Sequence, residues 1–111
     1  MAELAKVEGI LAAVVISNDG FLVDGVNASG SLDQDAVGAV VSAGIGSSVR
    51  MAHELQVGRL LHMLLECEHG IIGVNLIGHD AVLATVADSR ANIGTVRYQI
   101  KKHLPAIQAA L

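Results

Sequence analysis

Histidine, cysteine and the acidic side chains are the residues here that could bind a metal or move a proton. The chain has five histidines, one cysteine and eleven acids. His62 and His69 are separated by a turn, His79 sits on another turn, and His53 and His103 fall on separate helices. None forms the short His-x-x-x-His or Cys-x-x-Cys spacing that brings two ligands to one ion. Glu66, Cys67, Glu68 and His69 are consecutive, but successive residues of a strand point to opposite faces. Cys67 could pair with a histidine as a nucleophile, yet no third group is placed to orient that base. A phosphate loop of the form Gly-x-x-x-x-Gly-Lys-Ser/Thr is absent from the sequence, so nucleoside triphosphates are not expected to bind by that device. We therefore expect no enzyme activity, no metal and no cofactor.

Composition narrows the remaining classes. At 111 residues, 52% hydrophobic and 16% charged, the chain has the make-up of one domain, 1–111, with a real core. A net charge of -4 argues against nucleic acid, which calls for a clustered basic face. Phe21 and Tyr98 are its two aromatic residues, too few for platforms that stack bases or sugars. One cysteine excludes an internal disulfide and fits a reducing compartment. Glu3, Lys6 and Glu8 interrupt the first ten residues, so no signal peptide is read and a cytoplasmic location is expected.

The elements that must position any site are organised around Ser31 to Val57. Ser31 can cap a helix whose first turn holds Asp33 and Asp35, acids suited to the positive end of the helix dipole. Val37, Val40, Val41, Gly44, Ser48, Met51 and Leu55 share one face and read as a core stripe. The opposite face carries Ala39, Ser42, Ala43 and Gly46, and turns polar only at Ser47, Arg50, His53 and Glu54. From Ala36 to Val49 there is no charge, so this helix should be covered on two sides. Gly38, Gly44 and Gly46 lie inside it, each costing roughly 1 kcal/mol relative to alanine. Close approach of another backbone would offset that loss. The alternative is a tightly packed internal helix with no partner. The uncharged run is too short for a membrane span, which needs roughly 20 residues.

Around that helix the chain alternates short elements. A helix over Ala2 to Val7 precedes a strand at Ile10 to Ser17, apolar on both parities. Asn18-Asp19-Gly20 turns it into a short second strand, Phe21 to Val23, and Asp24 to Gly30 reads as a polar loop. After Gly58 come strands at Arg59 to Cys67, Ile71 to Ile77 and Ala81 to Ala87, joined by turns at Glu68-His69-Gly70 and Gly78-His79-Asp80. Asp88 is expected to cap a last helix, with Ile93, Val96, Ile100, Leu104 and Ile107 at helical spacing and Pro105 kinking it or ending its regular part. The fold class is α+β, with a sheet covered on both faces.

This order of elements resembles the Roadblock family of dynein light-chain-like proteins. The likeness spans nearly the whole chain. It rests on Gly9-Ile10 leading into Val14-Val15-Ile16-Ser17-Asn18-Asp19-Gly20, the small-residue central helix, and Gly70 in the second hairpin. The Ala81-to-Ala87 strand and Asp88-Ser89-Arg90-Ala91-Asn92-Ile93-Gly94 complete it. The glycine content of the central helix and Pro105 depart from the family pattern. The resemblance implies a five-stranded antiparallel sheet in the order 2-1-5-4-3 between helices. It also implies homodimers or heterodimers joined through the central helix and third strand, no catalytic residues, and binding to small Ras-like GTPases or service as a motor or scaffold subunit.

We accordingly expect a non-catalytic homodimer that binds and modulates a small Ras-like GTPase, with Ala39, Ser42, Ala43 and Gly46 at the dimer interface. Ser47, Arg50, His53 and Glu54 are expected to meet the partner. Arg50 could enter the partner's nucleotide site as an arginine finger, anchor the interface, or be solvated at the helix end. The rival classes are a small-molecule-sensing domain and a scaffold or motor-complex subunit without a GTPase.

Overall fold

A continuous apolar run over Ile10–Ser17 (β1) gives a strand buried on both faces, and the sheet is built outward from it. The computed structural model describes residues 2–30 and 32–111. β1 lies between β2 (Leu22–Asn27) and β5 (Ala81–Asp88); β4 (Gly70–Ile77) and then β3 (His62–Cys67) follow. All neighbouring pairs are antiparallel, so the order β2-β1-β5-β4-β3 is the one the resemblance implied. The register of β1 with β2 shifts between Val15 and Ile16. Three helices flank the sheet: α1 (Ala2–Ala5), α2 (Gln34–Glu54) and α3 (Ile93–Ala109).

The two faces of this sheet are packed unequally. On one, Ala13 and Val15 of β1, Leu83 and Ala87 of β5, and Ile71 and Ile77 of β4 close against Leu4 of α1 and Val96, Ile100 and Ile107 of α3. On the other, the buried cluster is Val14, Ile16 and Ala84, with Leu22, Val37 and Val41 half-buried against it. α2 packs on β1, β2 and β5. Its cover therefore runs out toward β3, where Leu61 and Leu65 are 63% and 47% exposed.

Several boundaries differ from the sequence reading. β2 runs to Asn27, through what reads as a polar loop. Its backbone pairs with β1 from Asp24 to Asn27, and an edge strand tolerates polar side chains on its open side. The cap of α2 is Asp33, whose carboxylate accepts the Asp35 N–H at 3.0 Å, a contact type worth about 1 kcal/mol. The cap expected at Ser31 lies outside the described residues. α2 ends at Glu54 and β3 begins only at His62.

Asp88 does not cap α3. It still belongs to the β5 ladder, its N–H donating to the Gly9 carbonyl at 2.8 Å, and its carboxylate is taken by Arg90. Asn92 caps instead, accepting the Thr95 N–H at 3.0 Å. α3 continues past Pro105 to Ala109, so the proline does not end it.

The core stripe expected on α2 is also corrected. Val37, Val41 and Ser48 are half-buried, but Val40, Gly44, Met51 and Leu55 are exposed. The half-buried line instead follows Gln34, Gly38, Val41, Ile45, Ser48 and Ala52. An uncharged helix offers no polar side to fix its rotation, so the stripe was set too far toward β2.

Candidate interaction surface

At roughly 100° per residue, α2 divides into two flanks about the inward line through Gly38 and Ile45. One flank carries Val37 and Val41, which pack with Leu22 of β2. The other carries Ser42, Val49 and His53, and turns toward β4 and β3. There Ile45, Val49 and His53 of α2 face Leu76, Val82 and the Arg59 segment across a hollow of about 500 Å³. The side chain of Arg59 donates to the Gly78 carbonyl, which pins the chain entering β3 to the turn after β4.

Ala39, Ala43, Gly46 and Arg50 are spaced i, i+4, i+7, i+11, the pitch of one stripe along a helix, and all four are exposed. Ser42 stands slightly inward of that stripe and is half-buried; a Cβ on Gly20 would lie 3.6 Å from its hydroxyl. Ala39, Ala43 and Gly46 thus lie together on one exposed side of α2, with Ser42 turned inward of them. Gly44, by contrast, lies on the β2 flank. A Cβ added at Gly44 or Gly46 would meet nothing within 4 Å, so no contact among the described residues accounts for either glycine.

Among the residues assigned to a partner, Ser47, Arg50 and Glu54 share the outermost face of the last turns. His53 rotates back toward the sheet and lines the hollow. Among the described residues Arg50 makes no ion pair or side-chain hydrogen bond, so its guanidinium is available. The sequence reading missed Val49, 43% exposed, and the exposed β3 row Leu61 and Leu65. Their signal was the alternation Leu61, Met63, Leu65 in a strand at the sheet edge.

No group of three or more His, Cys, Asp or Glu among the described residues is placed to hold a metal ion. Cys67 is free and exposed, its thiol 3.9 Å from the Leu65 carbonyl. No helix among the described residues is long and apolar enough to cross a membrane. The strongest local electrostatic feature lies elsewhere: the Arg90 guanidinium, hydrogen-bonded to Asp88, holds that carboxyl below its ordinary 3.8.

A family model for the Roadblock/LC7 domain matches residues 1–87. The chain belongs to the Roadblock/LC7 family. A relative, protein MJ0310 of Methanocaldococcus jannaschii, is 35% identical over 109 residues, spanning 98% of this chain and 94% of that one. Among solved Roadblock/LC7 folds, Myxococcus xanthus MglB superposes with a TM-score of 0.87 at 17% identity, over 97% of this chain and 88% of its own. A structure described as MglB with a tetrameric arrangement superposes at 0.86 with 22% identity, over 97% of this chain and 82% of that one. At these identities the likeness to MglB is one of fold. The five-stranded order and the helices on both faces are those of the family.

Proposed function

We propose that this Roadblock/LC7 chain is a non-catalytic module that joins a second copy of itself and, as a dimer, binds and modulates a small Ras-like GTPase. One observation carries the first half: the chain leaves exposed both the small-residue stripe Ala39, Ala43, Gly46 of α2 and the apolar Leu64 and Leu65 of the edge strand β3. An isologous interface needs one self-complementary patch, and small side chains let two helices approach closely. β3 is an edge strand whose open side can pair with its own copy. The tetrameric MglB arrangement shows that this fold is compatible with self-association in a relative.

The GTPase half rests on family membership together with the free Arg50 on the outer face of α2. Arginine is often the energetic anchor of a transient contact. The absence of a nucleophile–base pair or phosphate loop supports a role without chemistry of its own.

Light scattering tests the dimer and should return about twice 11.4 kDa. Ala43→Arg, which sets two like charges facing each other at the seam, should return the monomer mass with an unchanged circular dichroism spectrum. Titration with a Ras-like GTPase from the same cell, loaded with a GTP analogue or with GDP, tests the partner. Arg50→Glu should preserve the dimer and weaken that binding at least tenfold, about 1.4 kcal/mol. Binding in neither nucleotide state, or unaltered binding by Arg50→Glu, would refute the partner or the surface. GTP turnover by the purified chain above a heat-denatured control would refute the non-catalytic reading.

A further inference from the structure

On the face of the sheet opposite α2, a second depression opens between α3 and the β3–β4 hairpin, with a volume of about 590 Å³. Ligand pockets commonly measure roughly 300–1,000 Å³. Its floor is Leu64, Gly73, Ile100 and Leu104, and its rim carries Arg97 and Lys101, one turn apart on α3. No carboxylate is among the lining residues described. The charge around it runs against the rest of the molecule. From Ile93 to Leu111 the sequence has Arg97, Lys101 and Lys102 and no acid, although the whole chain is at -4.

Gly73 faces α3, where an added Cβ would lie 3.9 Å from the Ile100 side chain, while its same-face neighbours along β4, Ile71 and Asn75, carry side chains. Thr85 stands opposite Gly73 in the ladder on the same face. It is 2% exposed, and its hydroxyl has no hydrogen-bond partner among the described residues. Thr85 is not among the residues that line the depression.

We propose that this pit binds a small organic acid with an apolar body. Arg97 and Lys101 hold the carboxylate, and the hydrocarbon lies on Leu64, Ile100 and Leu104. The site is on the sheet face away from the α2 stripe.

The test is a titration of the isotopically labelled full chain with octanoate, below its micelle concentration, and with neutral octanamide, followed by amide chemical shifts. Octanoate should saturably shift Leu64, Gly73, Asn75, Arg97 and Lys101, and octanamide should bind at least tenfold more weakly. Arg97→Gln with Lys101→Gln should weaken octanoate at least tenfold. Gly73→Leu should abolish binding, with circular dichroism checking that the fold is kept. A Cβ there meets Ile100 and Leu64 methyl groups at 3.9 and 4.0 Å, and the rest of the leucine fills the depression. Scattered or unsaturable shifts, equal binding of octanamide, or binding retained in Gly73→Leu would overturn the proposal. So would a Glu-Leu octapeptide that shifts these amides where octanoate does not, which would assign the pit to an acidic peptide.

Discussion

One sheet presents two unlike faces. Against α1 and α3 it is sealed over β1, β5 and the ends of β4, where Leu4, Leu83, Val96 and Ile100 are each under 5% exposed, and it opens at the depression over Gly73 and Leu64. Against α2 the seal is Val14, Ile16 and Ala84, and it stops short of β3. β3 and β5 are nevertheless similarly apolar in sequence, His62-Met-Leu-Leu-Glu-Cys67 against Ala81-Val-Leu-Ala-Thr-Val-Ala-Asp88. Hydropathy marks both as strands meant for cover. It does not say whether the cover is supplied by the same chain or by another molecule. The sealed face holds the fold, and the open face is left uncovered toward β3 by the described residues.

The largest expected effect tests the sealed face. Leu83→Ala removes a side chain with no exposure and should cost about 3 kcal/mol, enough to lower the melting temperature by more than 10 °C in a calorimetric scan. The matching change on the open face, Leu65→Glu, should shift the chain's own stability by no more than about 0.5 kcal/mol. It should instead raise the dissociation constant for self-association at least tenfold in sedimentation equilibrium. Equal melting losses in the two variants would erase the contrast between the faces.

A smaller effect divides α2 itself. Gly44 and Gly46 both face open space, so alanine at either should strengthen the helix by about 1 kcal/mol. Only Gly46→Ala lies on the flank turned toward β3. It should weaken self-association several-fold while Gly44→Ala leaves it unchanged, and equal effects on association would place the seam elsewhere.

The smallest effect is electrostatic and belongs to the sealed side. Asp88 has its folded pKa lowered by Arg90, so the pair contributes stability above the ordinary carboxylate pKa of 3.8 and loses it as pH falls through the lowered value. Asp88→Asn should therefore melt slightly below the wild type at pH 7, and the gap should close in acid. A gap that persisted at pH 2 would mean that Asp88 acts through its backbone turn instead.

Much of this was legible before any coordinates. β1 is bounded by Gly9 and the Asn18-Asp19-Gly20 turn, and the strand Ile10–Ser17 is the one the sequence implied. The later hairpins were equally plain, because their turns stand between unbroken apolar runs. β2 was read short because edge pairing, and not side-chain pattern, holds Asp24 to Asn27 in the ladder. The rotation of α2 was illegible for the reason that makes the helix interesting: with no charge from Ala36 to Val49, nothing local distinguishes inside from outside. The Gly73 pit was hidden because a glycine in a strand gives no sign of what packs over it.

The register shift between β1 and β2 bears on how many copies can join. A sheet with two unguarded borders would add subunits without end and become a fibre. Here the β2 border is broken in its pairing between Val15 and Ile16 and carries the exposed carboxylate of Asp24, both of which discourage a further strand. Only the β3 border is regular from His62 to Cys67. Were two copies to meet at β3, as proposed above, each would use up the other's regular border, and growth along the sheet would terminate at the pair.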